Sequence, residues 1–155
     1  MTDAPVIQEE RAARETEIRT ACDAGDHAGA LTILLQTYAD ELLSFLMARL
    51  DDRSRAEEAF ALLAEDLWVS LPNFEFRSSV RTWAYTVARH VAARYARAPV
   101  RRKDRNLTLS KNVQLSQLVE QLCTRTEIYR QTDAKNRIRA LRGQLDDAQT
   151  QLAER

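Results

Sequence analysis

From Phe74 onward aromatic and basic side chains alternate in a way that suits nucleic acid. The run Phe74-Glu75-Phe76-Arg77-Ser78-Ser79-Val80-Arg81-Thr82-Trp83-Ala84-Tyr85 is followed by Arg89-His90, Arg94 and Arg97, and ends in Arg101-Arg102-Lys103. Arg and Lys neutralise phosphates and release their counterions, while exposed rings stack on unpaired bases. A basic helix that is only solvated, or that lies against an acidic part of its own chain, has the same composition, and both readings stay open at this level.

Other chemistries find little support. The sequence has no glycine-rich phosphate loop, no G-x-S-x-G and no H-E-x-x-H, so no enzyme is expected. The acid pairs Glu57-Glu58 and Glu65-Asp66 sit on an amphipathic pattern, where a solvated face is the ordinary reading. His27 and His90 cannot build a metal site alone, and Cys22 and Cys123 are too far apart in sequence for a zinc pattern or a disulfide framework. No metal and no cofactor is expected.

Charge is unevenly spread behind a formal net charge of zero. Residues 1–76 hold 6 bases and 16 acids, residues 77–105 hold 9 bases and 1 acid, and residues 106–155 hold 8 bases and 6 acids. An acidic half therefore leads into a basic strip. Such blocks select partners by their fields: an anionic partner for the strip, a basic one for the acidic part.

The elements that must carry these residues are helical. With 3 Gly and 3 Pro in 155 residues there is little punctuation for hairpins, and an all-α fold is expected. Leu31, Leu34, Leu35, Tyr38, Leu42, Phe45, Leu46 and Leu50 form one stripe of a helix from about 27 to 50, with Asp26 as its N-cap. Asp51 to Ser54 reads as a turn. A second helix, about 55–71, buries Ala56, Ala59, Phe60, Leu63, Leu67, Trp68 and Leu71 and ends before Pro72. Its other side carries Glu58, Leu62, Glu65 and Val69 beside Glu57, Ala61 and Asp66, a mixed acidic and apolar stripe suited to a partner.

Ser78 or Ser79 caps a third helix that runs to about Arg97. Val80, Trp83, Ala84, Val87, Ala88, Val91 and Tyr95 form its inner face, which makes Trp83 a core anchor in the first instance, as Trp68 is. Tyr85 lies at the edge of the exposed face. Residues 107–114 lack a period and read as linker, Leu115, Leu118, Val119 and Leu122 suggest a short helix, and Ile7 to Cys22 an additional helix. The organisation expected is a helical extension at 1–26, a bundle at 27–98, a linker with a short helix at 99–132, and a further helical segment at 133–155. No run of about 18 apolar residues suggests a membrane span, and the acidic N-terminus is unlike a signal peptide, so no membrane partner and a cytoplasmic location are expected.

The segment Ala56-Glu57-Glu58 through Trp68, then Leu71-Pro72-Asn73-Phe74, Ser78-Ser79-Val80-Arg81-Thr82-Trp83-Ala84-Tyr85 and Val87-Ala88-Arg89-His90, resembles the core-binding and promoter-melting domain of bacterial RNA polymerase sigma factors of the small extracytoplasmic-function class. The resemblance covers about residues 28–103. It implies a transcription initiation factor whose partners are core RNA polymerase and the non-template strand of the promoter minus-ten element, with an anti-sigma protein as a further partner. By that resemblance Phe74, Phe76, Ser78 and Ser79 shape a pocket for an unstacked base. Arg77, Arg81, Arg89, Arg94 and Arg97 engage phosphates, with Thr82, Tyr85 and His90 on the same DNA-facing surface; His90 stands where the family commonly has Asn. The polymerase surface implied is Glu57, Glu58, Leu62, Glu65, Asp66 and Val69, together with Tyr38, Leu42, Phe45 and Arg49.

Two departures qualify what the resemblance implies. Ala61-Leu62 occupies the place of a usual Gln-Glu pair on the polymerase-binding helix. Residues 133–155 resemble the opening helices of the second sigma domain, without the helix-turn-helix that reads the minus-35 element. The alternative function is an interaction protein of sigma type that holds polymerase or an anti-sigma partner and opens no promoter.

Overall fold

The computed structural model describes residues 3–97, 112–125 and 138–144, the side chains from Val6 onward, and every regular element among them is a helix. Four long helices come first: α1 (Asp3–Asp23), α2 (His27–Leu50), α3 (Arg53–Ser70) and α4 (Val80–Arg97). A fifth, α5, is helical over 113–125. The chain divides into two compact units, Met1–Cys123 and Thr124–Arg155; of the stretch 133–155 singled out by sequence, the described part is helical at 138–144.

The turns are set by a few side chains. Gly25 has φ +78°, a left-handed value that a residue without Cβ adopts at no steric cost, and it lets the chain reverse between α1 and α2. Asp26 then caps α2 by accepting the Gly29 N–H at 2.9 Å, as its position ahead of the leucine stripe predicts. At the other end two adjacent aspartates divide the work. Asp51 closes α2 in the left-handed region (φ 52°), a conformation its short polar side chain tolerates. Asp52 accepts the Arg55 N–H at 3.2 Å and starts α3 at Arg53, two residues before the periodic pattern begins.

α2 is the hub. It packs against α1, α3 and α4, and although it is long and apolar enough to cross a membrane, burial of Leu31, Leu34, Leu35, Leu42, Leu43 and Leu46 in the bundle accounts for its composition. α1 docks on α2 and contributes Ile18, fully buried, to the shared core. Leu115, Val119 and Leu122 of α5 join the same core, at a spacing that puts all three on one face. Asn112 caps α5 by accepting the Leu115 N–H at 3.2 Å.

α3 departs from the one-sided helix expected. Every residue from Ala59 to Glu65 is buried, so the middle two turns are enclosed on all sides. A helix surrounded in this way has to be apolar nearly all round, and Glu65 is the one charged residue of the stretch. That requirement explains why Ala61 and Leu62 stand in the centre of α3, and it means that the mixed stripe is not an outer face there. α3 ends at Ser70 and tightens into a 3-10 turn, Leu71–Asn73, where Pro72 has no N–H to continue the ladder.

Candidate nucleic-acid interface

The loop between the 3-10 turn and α4 folds its aromatics inward onto Trp83. Phe74 lies nearly flat on the Trp83 ring, centroids 4.4 Å apart and planes 19° apart, and Phe76 leans on Phe74 at 4.6 Å. Phe74 and Trp83 line an open pocket of about 400 Å³ together with Val69, Asn73, Arg77 and Ser78. That size lies within the roughly 300–1,000 Å³ of pockets that take small ligands. Its lining offers aromatic rings, an amide, hydroxyls, the Arg77 guanidinium and the Glu75 carboxylate paired with it, groups that suit a planar heterocycle with hydrogen-bonding edges.

Sequence reasoning placed four residues around such a pocket, and two of them line it. Phe74 and Ser78 do. Phe76 turns its other side toward α1, with the Arg19 guanidinium 5.3 Å from the ring centre, and it does so at φ 56°, a left-handed value costly for a bulky residue. Ser79 is occupied in capping: its Oγ accepts the Thr82 N–H at 3.1 Å and donates to the Thr82 hydroxyl at 2.9 Å. Trp83, expected as a core anchor, is half-buried and supplies a wall of the pocket. Its helical phase pointed inward correctly; what the phase could not reveal is that the neighbouring loop leaves the ring edge reachable.

α4 begins against a carboxylate from the far end of the chain. Glu15 of α1 accepts the Val80 N–H at 2.8 Å, the Arg81 N–H at 3.1 Å and the Tyr38 hydroxyl at 2.8 Å. Two of the N–H groups that a helix start leaves unpaired are thus satisfied by one side chain, placed where the helix dipole favours negative charge. Burial, then the bond to Glu15, pushes the Tyr38 hydroxyl well above the usual phenol range.

The basic residues fall into two groups. Arg81 donates to Glu41 at 2.7 Å and lies over the Tyr85 ring at 5.1 Å; the bond to Glu41 pushes its guanidinium further up. Tyr85 meets Phe45 edge-on at 5.5 Å, and Arg49 covers Phe45 at 5.0 Å. Arg94 pairs with Asp66, and Arg77 with Glu75 at 2.8 Å. The basic strip therefore sits partly against the chain's own acids. Thr82, Arg89, His90 and Arg97 face solvent along α4; among the described residues Arg89 meets no carboxylate, and Arg97 reaches only the Ala93 carbonyl at 3.4 Å.

The surface expected for a protein partner is reduced by the packing of α3. Tyr38, Leu42, Leu62 and Glu65 are between 0% and 4% exposed, so these four are core side chains and offer no docking surface. Tyr38 and Leu42 belong to the buried face of α2, and along α3 Tyr95 donates to Glu58 and Arg94 to Asp66, which brings α4 onto the side where the stripe lies. Glu57 is held by Arg53 at 2.8 Å. Arg49 and Val69 remain exposed, Val69 at 56%.

Comparison with known proteins points to a family and to a relative within it. The family model of Sigma-70 region 2 matches residues 34–102. RNA polymerase sigma factor YlaC of Bacillus subtilis is 32% identical over 108 residues, an alignment that covers 64% of this chain and 59% of the relative. The chain thus spans less than two thirds of the length of that curated relative. No solved structure matches the chain significantly.

Proposed function

Because the chain belongs to the sigma-70 family through residues 34–102, we propose that it binds core RNA polymerase and recognises and opens the promoter minus-ten element, as a factor of the extracytoplasmic-function class. The observation that carries this reading is the pocket walled by Phe74 and Trp83 at the start of a basic helix. A base leaving the duplex loses stacking worth a few kcal/mol. A ring surface recovers about 1–3 kcal/mol of that per base. Asn73, Ser78 and Arg77 add hydrogen-bonding groups beside the base, and Arg89 and Arg97 lie exposed farther along α4 for phosphates. Strand opening on this reading is work done by binding, with no chemical step and no cofactor, in the cytoplasm where polymerase operates.

The test is reconstitution with core polymerase on templates randomised across the minus-ten element. Selection of a shared sequence, with permanganate-reactive thymines inside it, is the expected result. Polymerase binding with no template enrichment sinks the promoter reading.

One observation favours a second function. Arg77, Arg81 and Arg94 are each paired to a carboxylate of the chain itself, which lowers the positive field offered to DNA and suits an interaction protein that holds polymerase or an anti-sigma partner. Under that reading the same reconstitution gives saturable polymerase binding and no opening.

A further inference from the structure

The helix that precedes the family-matched residues touches the promoter-facing surface at three points. Arg11, Glu15 and Arg19 are spaced by four, so they form one polar stripe along α1, next to the fully buried Ile18. Arg19 covers the Phe76 ring. Glu15 takes both leading N–H groups of α4, Val80 at 2.8 Å and Arg81 at 3.1 Å. Arg11 bonds Glu41 at 3.3 Å, and Glu41 holds the Arg81 side chain at 2.7 Å. The loop from Phe74 to Ser79 is thus pinned at Phe76, and the helix that follows it is pinned at its first turn, both by α1.

What is pinned is the part least able to hold itself. Phe76 keeps a left-handed backbone that a bulky residue leaves unless its surroundings fix it. The first turn of α4 has N–H groups that water or an anion would otherwise take. Phe74 and Trp83, the two walls of the pocket, lie on either side of these pinned points in sequence, so their stacking depends on where the loop enters α4.

We infer that α1 is a positioning element for promoter opening and that Glu15 is its central positioning residue, setting the loop and the start of α4 in the base-accepting geometry without touching DNA. This rests on the promoter-opening function proposed above. It also assigns a role to residues outside 34–102, the part that the family model matches. Since Glu15 already fills the start of α4, a DNA phosphate does not bind there, and backbone contacts fall to the exposed arginines.

The experiment compares the full chain with Glu15→Ala, Glu15→Gln and Arg19→Ala on a template selected by the unmodified holoenzyme. Three quantities are read: core polymerase affinity by fluorescence titration, permanganate reactivity of the minus-ten thymines, and hydrogen exchange of the Val80 and Arg81 amides. Loss of a charged cap is expected to lower opening about tenfold in Glu15→Ala, with polymerase affinity within about twofold and faster exchange at both amides. Glu15→Gln, which keeps one acceptor oxygen, recovers part of the opening. Arg19→Ala lowers opening and leaves the two amides protected.

Opening by Glu15→Ala equal to that of the unmodified chain overturns the inference, as does a loss of opening that only follows a loss of polymerase binding. An unmodified chain that opens no template overturns the proposed function and with it the role in opening. Unchanged amide exchange in Glu15→Ala overturns the assignment of Glu15 as the residue that holds the start of α4.

Discussion

Phe74 rests on Trp83 with only 19° between the ring planes and 4.4 Å between their centres. Rings stacked this closely cover each other's facing sides, and the parts left over border a pocket of about 400 Å³ rather than the closed core. Phe74→Ala removes one half of the wall at a half-buried position and leaves Trp83 in place. The expected outcome is a loss of about 1–3 kcal/mol in capture of a single-stranded minus-ten oligonucleotide by the holoenzyme, measured by fluorescence anisotropy. Polymerase affinity should not change. An equal affinity for the oligonucleotide would remove the pocket from the recognition surface.

Arg89 and Arg97 are the exposed guanidinium groups on α4 that no carboxylate holds among the described residues. Each released phosphate counterion contributes about 0.7–0.9 to the slope of log affinity against log salt. Arg89→Ala and Arg97→Ala should therefore each flatten that slope by about one, and weaken binding similarly for all sequences. Anisotropy titrations at four salt concentrations give the slopes. A change confined to one promoter sequence would mean base contact.

Arg81 behaves differently because Glu41 already neutralises it at 2.7 Å. Replacing Arg81 removes a charge that DNA does not fully see, whereas Glu41→Gln exposes it. The variant Glu41→Gln is expected to bind promoter DNA more tightly at low salt and to steepen the salt slope by about one. An unchanged slope would remove Arg81 as a phosphate contact that Glu41 masks.

Much of this arrangement can be read along the chain, and the exceptions share a cause. The leucine stripe of α2 and the Asp26 cap come from patterns within one or two turns, where sequence spacing and spatial spacing coincide. Val80, Ala84, Ala88, Val91 and Tyr95 of α4 are buried as its period predicts for the same reason, while Trp83 and Val87 are half-buried and Ala92 joins the core beside them. Glu15 carries no such signal: a Glu within an Ala- and Arg-rich helix looks solvated, and only the fold brings it to an N–H group 65 residues away. The enclosure of α3 was obscured by Glu58 and Asp66, whose charges read as an outer face although Tyr95 and Arg94 satisfy them from α4. Two of the four pocket residues moved because backbone conformation decided their direction, Phe76 through its positive φ and Ser79 through its cap. Asn112 caps α5 from within the stretch 107–114 that lacks a period and reads as linker, so that helix begins earlier than its apolar spacing indicates.

The Tyr38 hydroxyl gives the bundle a dependence on alkaline pH whose direction follows from its partners. Burial and the Glu15 carboxylate disfavour the phenolate, so the folded-state pKa is raised above the unfolded value of about 10. The unfolded chain loses its proton first, binds fewer protons than the folded chain in that range, and stability therefore falls as pH rises. The contribution is fully present below about pH 10 and is lost progressively above it. Tyr85 and Tyr95 are shifted the same way, each by burial first, and then by Glu41 and Glu58 respectively. Tyr38→Phe removes a hydrogen bond to a carboxylate at a fully buried position and should cost about 1.5–3 kcal/mol at neutral pH. The difference between the variant and the unmodified chain should then shrink between about pH 10 and 11.5 in denaturant titrations. A gap that stays constant across that range would mean that the Tyr38 hydroxyl titrates alike in the folded and unfolded chains, against the upward shift expected from its burial and the Glu15 carboxylate.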